Sequence, residues 1–582
     1  MKYPLAHLLP YLGRYRLRLL LGILMVLLTV GIGLIAPQIL KYVVNDLLSG
    51  IALRNLMLYA GLILGVSLLE GFFRFWMRKI LIGMSRLIEY DLRNDFFAHI
   101  QLMSLSFFQS RNTGDIMSRA TNDMNAVRFV LGPGIMYSVH TVFLTAIVTS
   151  ILLHMSWELT LLAYIPLIMA TVSAKSFGRR IHDRFETIQE QFSALSTQIH
   201  ENLAGIRVVK SFSREDSEIG VFKKLNQEYV HRNISLIRLW GVFYPLLMLL
   251  SGLSSVAVLW YGGRLVIEGR LTLGDLVAFM GYLTMLRWPT VAIGRVINIF
   301  QRGSASMGRI LQIMHTPPQI GSPSETTAPP DVNGSLEIRN LTFVYPGAKN
   351  PVLQNISATV PPGTTLAIVG HTGSGKSSLV NLIPRLYDPP PGSIYVNGKD
   401  VRDWPLAQLR RCIGYVPQET FLFSDTIQEN IEFGKTEAMD SEALKRAADI
   451  SQISEDIETF SNGMKTFVGE RGITLSGGQK QRVAISRALA IHPKILIFDD
   501  SLSNVDTYTE ERILEGLSEV MKNRTTILVS HRISTIKNSH QILVLKNGAV
   551  AERGTHESLM AQDGLYAALY RKQLLEEELK TI

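Results

Sequence analysis

The stretch from Leu19 to Ile35 carries no charged side chain and is apolar on nearly every face. A helix buried in a water-soluble protein shows an amphipathic stripe, so an all-round apolar run demands a lipid environment. Five further segments have a similar character, which gives six candidate spans at about 17–40, 56–77, 130–153, 157–174, 240–262 and 274–298, each near the ~20 residues that cross a hydrocarbon core. Only Trp157, Glu158 and a few small or polar residues separate the third from the fourth, as in a tight hairpin of two spans. The basic residues Lys2, Arg14, Arg16 and Arg18 precede the first span without a small-residue cleavage site, so it reads as a retained helix rather than a signal peptide.

At 582 residues the chain is too long for one hydrophobic core. Its 47% hydrophobic and 18% charged content agree with a part that lives in lipid. The net charge of +9 is spread along the chain and flanks the apolar runs, which argues for membrane topology rather than nucleic-acid binding. The single cysteine, Cys412, excludes an intrachain disulfide and any cysteine-based zinc cluster.

Orientation follows from the loops. Residues 78–128 hold seven Lys or Arg and residues 175–238 hold eleven, whereas the alternate loops hold four, at Lys41, Arg54, Arg264 and Arg270. The positive-inside bias therefore puts the N-terminus and both long loops in the cytoplasm. Arg179–Ala204 contains no Pro or Gly, so the spans are expected to continue as helices well beyond the membrane. A Pro/Ser/Thr-rich stretch after Arg309 marks a linker. From about 335, short apolar strands alternate with Gly-rich or acidic turns and helices, the pattern of an α/β domain. The expected organisation is multi-domain: an all-α, six-span transmembrane domain over 1–315 with long cytoplasmic extensions, a linker over 316–334, and an α/β phosphate-loop domain over 335–582.

The chemistry sits in that last part. Gly370-His371-Thr372-Gly373-Ser374-Gly375-Lys376-Ser377, followed by Ser378, is a complete Walker A pattern directly after an apolar strand and before a helix expected from near Ser378. Its glycines let backbone N–H groups turn inward around phosphates, Lys376 meets β/γ oxygens, and the Ser377 hydroxyl suits Mg2+. Ile495-Leu496-Ile497-Phe498-Asp499 is an apolar strand ending in a carboxylate, the metal-side counterpart of Ser377. Leu475-Ser476-Gly477-Gly478-Gln479 opens a helix expected over about 480–491, where a hydroxyl and two unobstructed glycine N–H groups make a second anion site.

These motifs resemble the ABC ATPase family, whose LSGGQ signature completes the ATP site of a partner cassette in a head-to-tail dimer, and the resemblance covers the whole chain. It implies that Tyr345 stacks on adenine, that Gln418 senses Mg2+ and the membrane domain, that Asp506 belongs to the D-loop, and that His531 contacts the γ-phosphate. Thr113-Gly114-Asp115-Ile116 with Thr121-Asn122-Asp123 resembles the first cytoplasmic loop of the type IV exporter fold, and Gly205–Phe212 its second, which docks into the partner's cassette. Leu273-Gly274-Asp275 resembles the start of its sixth span, and Thr466–Gly472 its exporter-specific X-loop. The family implies ATP and Mg2+ as cofactors, membrane lipids and amphipathic small molecules as company, a second half-transporter as partner, and a bacterial inner membrane as location.

One position departs from the family. Asp500 stands where the hydrolytic Glu is expected, and its carboxylate is withdrawn by roughly 1.5 Å, about one C–C bond. A 1 Å misplacement of a positioning group costs about 10²-fold in rate. The run Asp499-Asp500-Ser501-Leu502-Ser503 resembles the impaired subunit of bacterial heterodimeric multidrug exporters, whose partner carries the Glu; a homodimer with a tolerated acidic swap is the alternative. A lipid flippase shares every motif, and an ATP-gated channel or regulator is a further reading.

Ionisable residues within spans are candidate functional groups: Glu70, Arg74, His140 and Arg287. Glu70 and Arg74, four apart on one helix, are expected to pair. Arg287 lies about midway along the sixth span, two residues before Pro289, facing either an anionic substrate group or a carboxylate such as Glu70.

Overall fold

The computed structural model describes residues 3–323, 332–435 and 439–581. Residues 324–331 of the expected linker lie outside the described residues. The chain divides into two compact units, Met1–Gln101 with Thr113–Thr316, and Leu102–Asn112 with Pro317–Ile582.

The first unit is helical. Six candidate spans run over Arg16–Leu48, Leu53–Gln101, Thr113–Met155, Trp157–Ala204, Glu215–Ile267 and Leu273–Met314. The second, of 49 residues, is about 73 Å long at 1.5 Å per residue, more than twice a hydrocarbon core. The spans thus extend beyond the membrane as the sequence predicts.

Two spans are interrupted by a turn. The first breaks between Arg16–Gly33 and Ile35–Leu48, and the sixth between Leu273–Met285 and Arg287–Met314. Pro37 and Pro289 explain both breaks, because each lacks an N–H and opposes the carbonyl four residues earlier, at Gly33 and Met285. The broken spans pack on each other: a Cβ on Gly281 would lie 3.2 Å from Pro37, and the Tyr282 hydroxyl donates to the Leu34 carbonyl at 3.0 Å. Where the end of the first span meets the start of the sixth, the Gly274 N–H donates to Asn45 Oδ1 at 2.9 Å, and a side chain at 274 would meet the Lys41 carbonyl. Asp275 closes a capping box with Thr272 and pairs with Lys41 at 2.7 Å.

Charges in the long extensions are buried only with partners. Glu89 accepts from Arg93 at 2.6 Å and Arg86 at 3.0 Å, with Arg128 at 3.4 Å. Asp123, at the end of a π-helical turn over Arg119–Asp123, takes Arg309 and the Ser306 hydroxyl.

The second unit holds two sheets. An antiparallel sheet has the order β2-β1-β4-β5, with β1 Leu336–Phe343, β2 Leu353–Val360, β4 Ile394–Val396 and β5 Lys399–Asp400. The other has the order β10-β9-β3-β8-β7-β6, with β3 Thr365–Gly370, β6 Ile413–Val416, β7 Ile495–Asp499, β8 Thr525–Val529, β9 Gln541–Lys546 and β10 Ala549–Gly554. β6, β7, β8, β3 and β9 run parallel, and only β10 is antiparallel. Every residue of β3, β7 and β8 is buried, as expected of strands covered on both faces. Their parallel direction brings the ends of β3, β7, β8 and β6 to one edge, where ligands of open α/β sheets bind.

Candidate nucleotide site

A cavity of about 240 Å³ opens at that edge. It is lined by Thr372 to Ser378 from the loop after β3, Gln418 after β6, Asp499 and Asp500 at the end of β7, and His531 after β8. Thr372 and His531, 159 positions apart in the chain, meet there because four parallel strands end together.

The loop has the shape its glycines allow. Gly373 and Gly375 sit at φ +80° and +99°, and at Gly375 a Cβ would also come within 2.7 Å of Leu353. The helix after it covers Lys376–Leu382, two residues earlier than the sequence suggests. Lys376 is buried, and its ammonium donates to the Gly370 carbonyl at 2.8 Å and to that of His371 at 3.1 Å. Burial holds its pKa below the usual lysine value, with Asp500 and Asp499 opposing the shift. The Ser374 hydroxyl is buried without a partner, an acceptor-donor left for a ligand in the cradle. Together these features suit a polyphosphate.

The carboxylate side is equally ordered. Ser377 donates to Asp499 Oδ1 at 3.0 Å, and burial raises the Asp499 pKa above the ordinary carboxylate value, with Ser377 working against it. Ser377, Asp499 and Gln418 supply only oxygen donors from side chains lining one cavity, a set that fits a hard divalent cation such as Mg2+ once phosphate oxygens complete the shell. Asp500 lies beside them at φ +47°, the left-handed region that a short acidic side chain tolerates better than most. His531 has its pKa lowered by burial and by Lys376 and His371, with Asp500 opposing.

Tyr345 stands at the side of this cavity: its hydroxyl is 2.9 Å from Ser378 Oγ, and its ring meets Tyr387 edge-on at 4.9 Å. Tyr387 in turn donates to Gln109 Oε1 at 2.6 Å, so the segment Leu102–Asn112 of the first long loop belongs to this unit.

Leu475–Gln479 and Asp506 do not line the cavity. The signature helix runs Gly477–Ala490, opened by a capping box in which Ser476 and Gln479 serve each other's backbone. Gly478 packs on the Asn504 carbonyl, where a Cβ would be 3.1 Å away, and Asp506 caps the helix Thr507–Met521 by accepting from the Thr509 N–H at 2.9 Å. The segment Leu475–Gln479, expected from the sequence to bind an anion, thus lies on the same unit as the cavity but outside its lining.

Residues 19–290 match the family described as ABC transporter transmembrane region, and residues 353–503 match ABC transporter. The chain is 37% identical over 566 residues to the probable multidrug resistance ABC transporter ATP-binding/permease protein YheI of Bacillus subtilis, covering 96% of each chain. This protein belongs to the ABC transporter family.

Within that family it is a half-transporter of the exporter fold, and its cassette hydrolyses ATP to drive transport across a membrane it spans several times. A solved bacterial Atm1-family ABC exporter with ATP bound superposes with a TM-score of 0.78 at 29% identity, over 96% of this chain and 98% of that one. An ATP-dependent lipid A-core flippase of Syntrophus aciditrophicus is 34% identical over 88% of this chain and 85% of its own.

In this transporter the intramembrane charges fall into two groups. Glu70 pairs with Arg74 on the same helix, as expected. Arg287 does not pair with Glu70: among the described residues its guanidinium meets no carboxylate, and it reaches the Ser255 hydroxyl of the fifth span at 3.4 Å. The break before Pro289 puts Arg287 at the start of a new helix, turned towards the fifth span.

Proposed function

We propose that this chain is the subunit with an impaired hydrolytic residue in a heterodimeric exporter of amphipathic compounds. Asp500 carries this reading. It shares the cavity with Lys376, Gln418 and His531, yet its carboxylate is one methylene short of the family's Glu, and φ +47° is a backbone geometry that suits Asp. The Ser476–Gln479 signature, by contrast, is intact and stands apart from the cavity, so each ATP needs a second cassette to close over it.

The residues then divide in roles. Tyr345 stacks on adenine; Gly370 to Ser378 hold the phosphates; Ser377, Gln418 and Asp499 hold Mg2+, which when bound offsets phosphate charge; His531 contacts the γ-phosphate. Ser476 to Gln479 and Asp506 face the partner's nucleotide. The basic loops orient the N-terminus and cassette to the cytoplasm of a bacterial inner membrane. The membrane domain occupies 1–315, the linker 316–334 and the cassette 335–582. Multidrug export and lipid flipping, named for two relatives, both act on amphipathic molecules, and the substrate here belongs to that class.

Purification of the complex from native membranes tests the reading. Native mass spectrometry is expected to find a second half-transporter bearing a Glu after its Walker B Asp. A fully active dimer of this chain alone overturns it.

A further inference from the structure

We propose that Tyr387 is a positioning residue for Tyr345, and that Gln109 of the first cytoplasmic loop fixes Tyr387 in turn, so that this loop segment sets how the cassette presents its aromatic ring to a base. The proposal rests on the reading of Tyr345 as the residue that stacks on adenine.

Tyr345 has no ladder to hold it. β1 ends at Phe343, and Tyr345 lies two residues further on, just before a turn in which Gly347 adopts φ +86°. Its half-buried ring therefore depends on what it packs against. The Phe343 ring lies 5.0 Å away at 76° and the Tyr387 ring 4.9 Å away at 84°, while the Tyr345 hydroxyl donates to Ser378 Oγ at 2.9 Å. Near-perpendicular rings meet edge to face, so a movement of one changes the seat of the other. Phe343 is itself fixed by strand pairing with Leu353. Tyr387 is not: it follows the helix Lys376–Leu382 and precedes β4, in neither helix nor strand.

The restraint on Tyr387 comes from its hydroxyl. The residue is 5% exposed, and its phenol donates to Gln109 Oε1 at 2.6 Å. Gln109 ends the short helix Leu105–Gln109, in the segment Leu102–Asn112 that belongs to the second unit and connects the second span to the third in sequence. The start of that helix is tied down as well. Ser106 donates to Gln319 Oε1 at 2.8 Å, Ser104 donates to the same oxygen at 3.2 Å, and Phe107 is buried. Gln109 is thus offered to Tyr387 at a fixed place. A buried phenol that loses its acceptor turns towards another one, and it carries with it the ring that abuts Tyr345.

The phosphates stand outside these contacts, because Tyr345, Tyr387 and Gln109 are not among the residues that line the cavity. An effect of Gln109 is therefore confined to the base.

The test uses the purified full-length complex in lipid nanodiscs, in the cold with EDTA, photolabelled with 2-azido-ATP and read on this chain alone. ATP and inorganic tripolyphosphate each displace the label, and the ratio of their half-displacing concentrations is the gain due to adenosine. Gln109→Ala changes an exposed residue and is expected to cut that gain about fivefold, the scale of one aromatic pair contact, with displacement by tripolyphosphate near its wild-type value. Tyr387→Phe keeps the ring, loses the phenol oxygen and should lower the gain in the same direction. In a Tyr345→Ala background Gln109→Ala should add nothing, since it acts through that ring. An undiminished gain in either single variant, or a Gln109 effect that persists in full without the Tyr345 ring, overturns the positioning role. Tyr345→Ala separates the two readings: a gain that survives there overturns the adenine assignment itself, whereas a gain lost there but intact in Gln109→Ala and Tyr387→Phe overturns only the positioning of Tyr345 by Tyr387.

Discussion

The side-chain amide of Gln479 donates to Asp456 Oδ1 at 2.7 Å while its carbonyl oxygen accepts from the Ser476 N–H at 2.9 Å. Both ends of the signature glutamine are thus engaged within its own cassette, and Asp456 is further held by Arg482 at 2.6 Å. Gln479 shapes the helix start, whereas Ser476 and the N–H groups of Gly477 and Gly478 are the atoms at that start, the ones that would meet a nucleotide under the proposed function.

Gln479→Ala and Asp456→Ala are therefore expected to behave alike. Each should cost about 1 kcal/mol of cassette stability, the scale of a lost helix cap. Each should lower ATPase activity less than Ser476→Ala does. Thermal unfolding and steady-state ATPase assays of the three variants check this; a Gln479 effect as large as that of Ser476 would show a direct nucleotide contact.

Much of this was legible in the sequence, and the reason is that the informative signals are local. The Walker A glycines, the apolar run into Asp499 and the uncharged Leu19–Ile35 each declare their structure within a few residues. The kinks were legible only in part: Pro289 was visible beside Arg287, but not that two broken spans pack at Gly281 and Pro37. The partners of Gln479, and the bond between Gln109 and Tyr387 across 278 positions, depend on strand order and tertiary packing, which no local period encodes. For the same reason the sequence leaves Arg287 two candidate partners, and the structure removes Glu70.

His531 gives the cassette a pH dependence of definite sign. Burial, Lys376 and His371 hold its pKa below the free value of 6.5, so the unfolded chain binds a proton before the folded one does. The stability linked to a neutral His531 is fully present above pH 6.5 and is lost as pH falls from there through the lower folded value. His531→Gln, which cannot titrate, should flatten that part of the fall. Melting curves of nucleotide-free protein across this range, wild type against variant, measure it; parallel curves would mean that His531 titrates alike in both states.

Arg287 is exposed, has no carboxylate partner among the described residues, and stands where the sixth span breaks. An unpaired guanidinium at that depth is costly unless something anionic or polar visits it. Arg287→Ala is expected to change the substrate-stimulated part of ATPase activity by severalfold and to leave the unstimulated part near its original level. Stimulation curves with a panel of amphipathic anions and cations decide it, and an Arg287 that binds substrate should matter most for the anions.

The arrangement of the two anion sites makes the sharpest prediction. The cavity at Lys376, Asp499 and Asp500 and the signature at Ser476 to Gln479 lie apart on one cassette, so in a head-to-tail dimer this chain's motifs serve two different ATP molecules. Its phosphate loop serves the site where Asp500 replaces Glu. In the proposed heterodimer its signature serves the site where the partner supplies the Glu, and a lost γ-phosphate contact there would remove transition-state stabilisation directly, at a scale of about 10²-fold or more. Ser476→Ala should therefore abolish most ATPase activity, while Asp500→Asn leaves turnover largely intact. Lys376→Ala should fall between them, because losing ATP at the impaired site weakens cassette closure without touching the chemistry at the other. Steady-state ATPase rates of the three variants in the complex as purified give the order. In a dimer of identical chains every site would depend on Asp500 as much as on Ser476, and near-complete loss in Asp500→Asn with no second chain present would establish that arrangement instead.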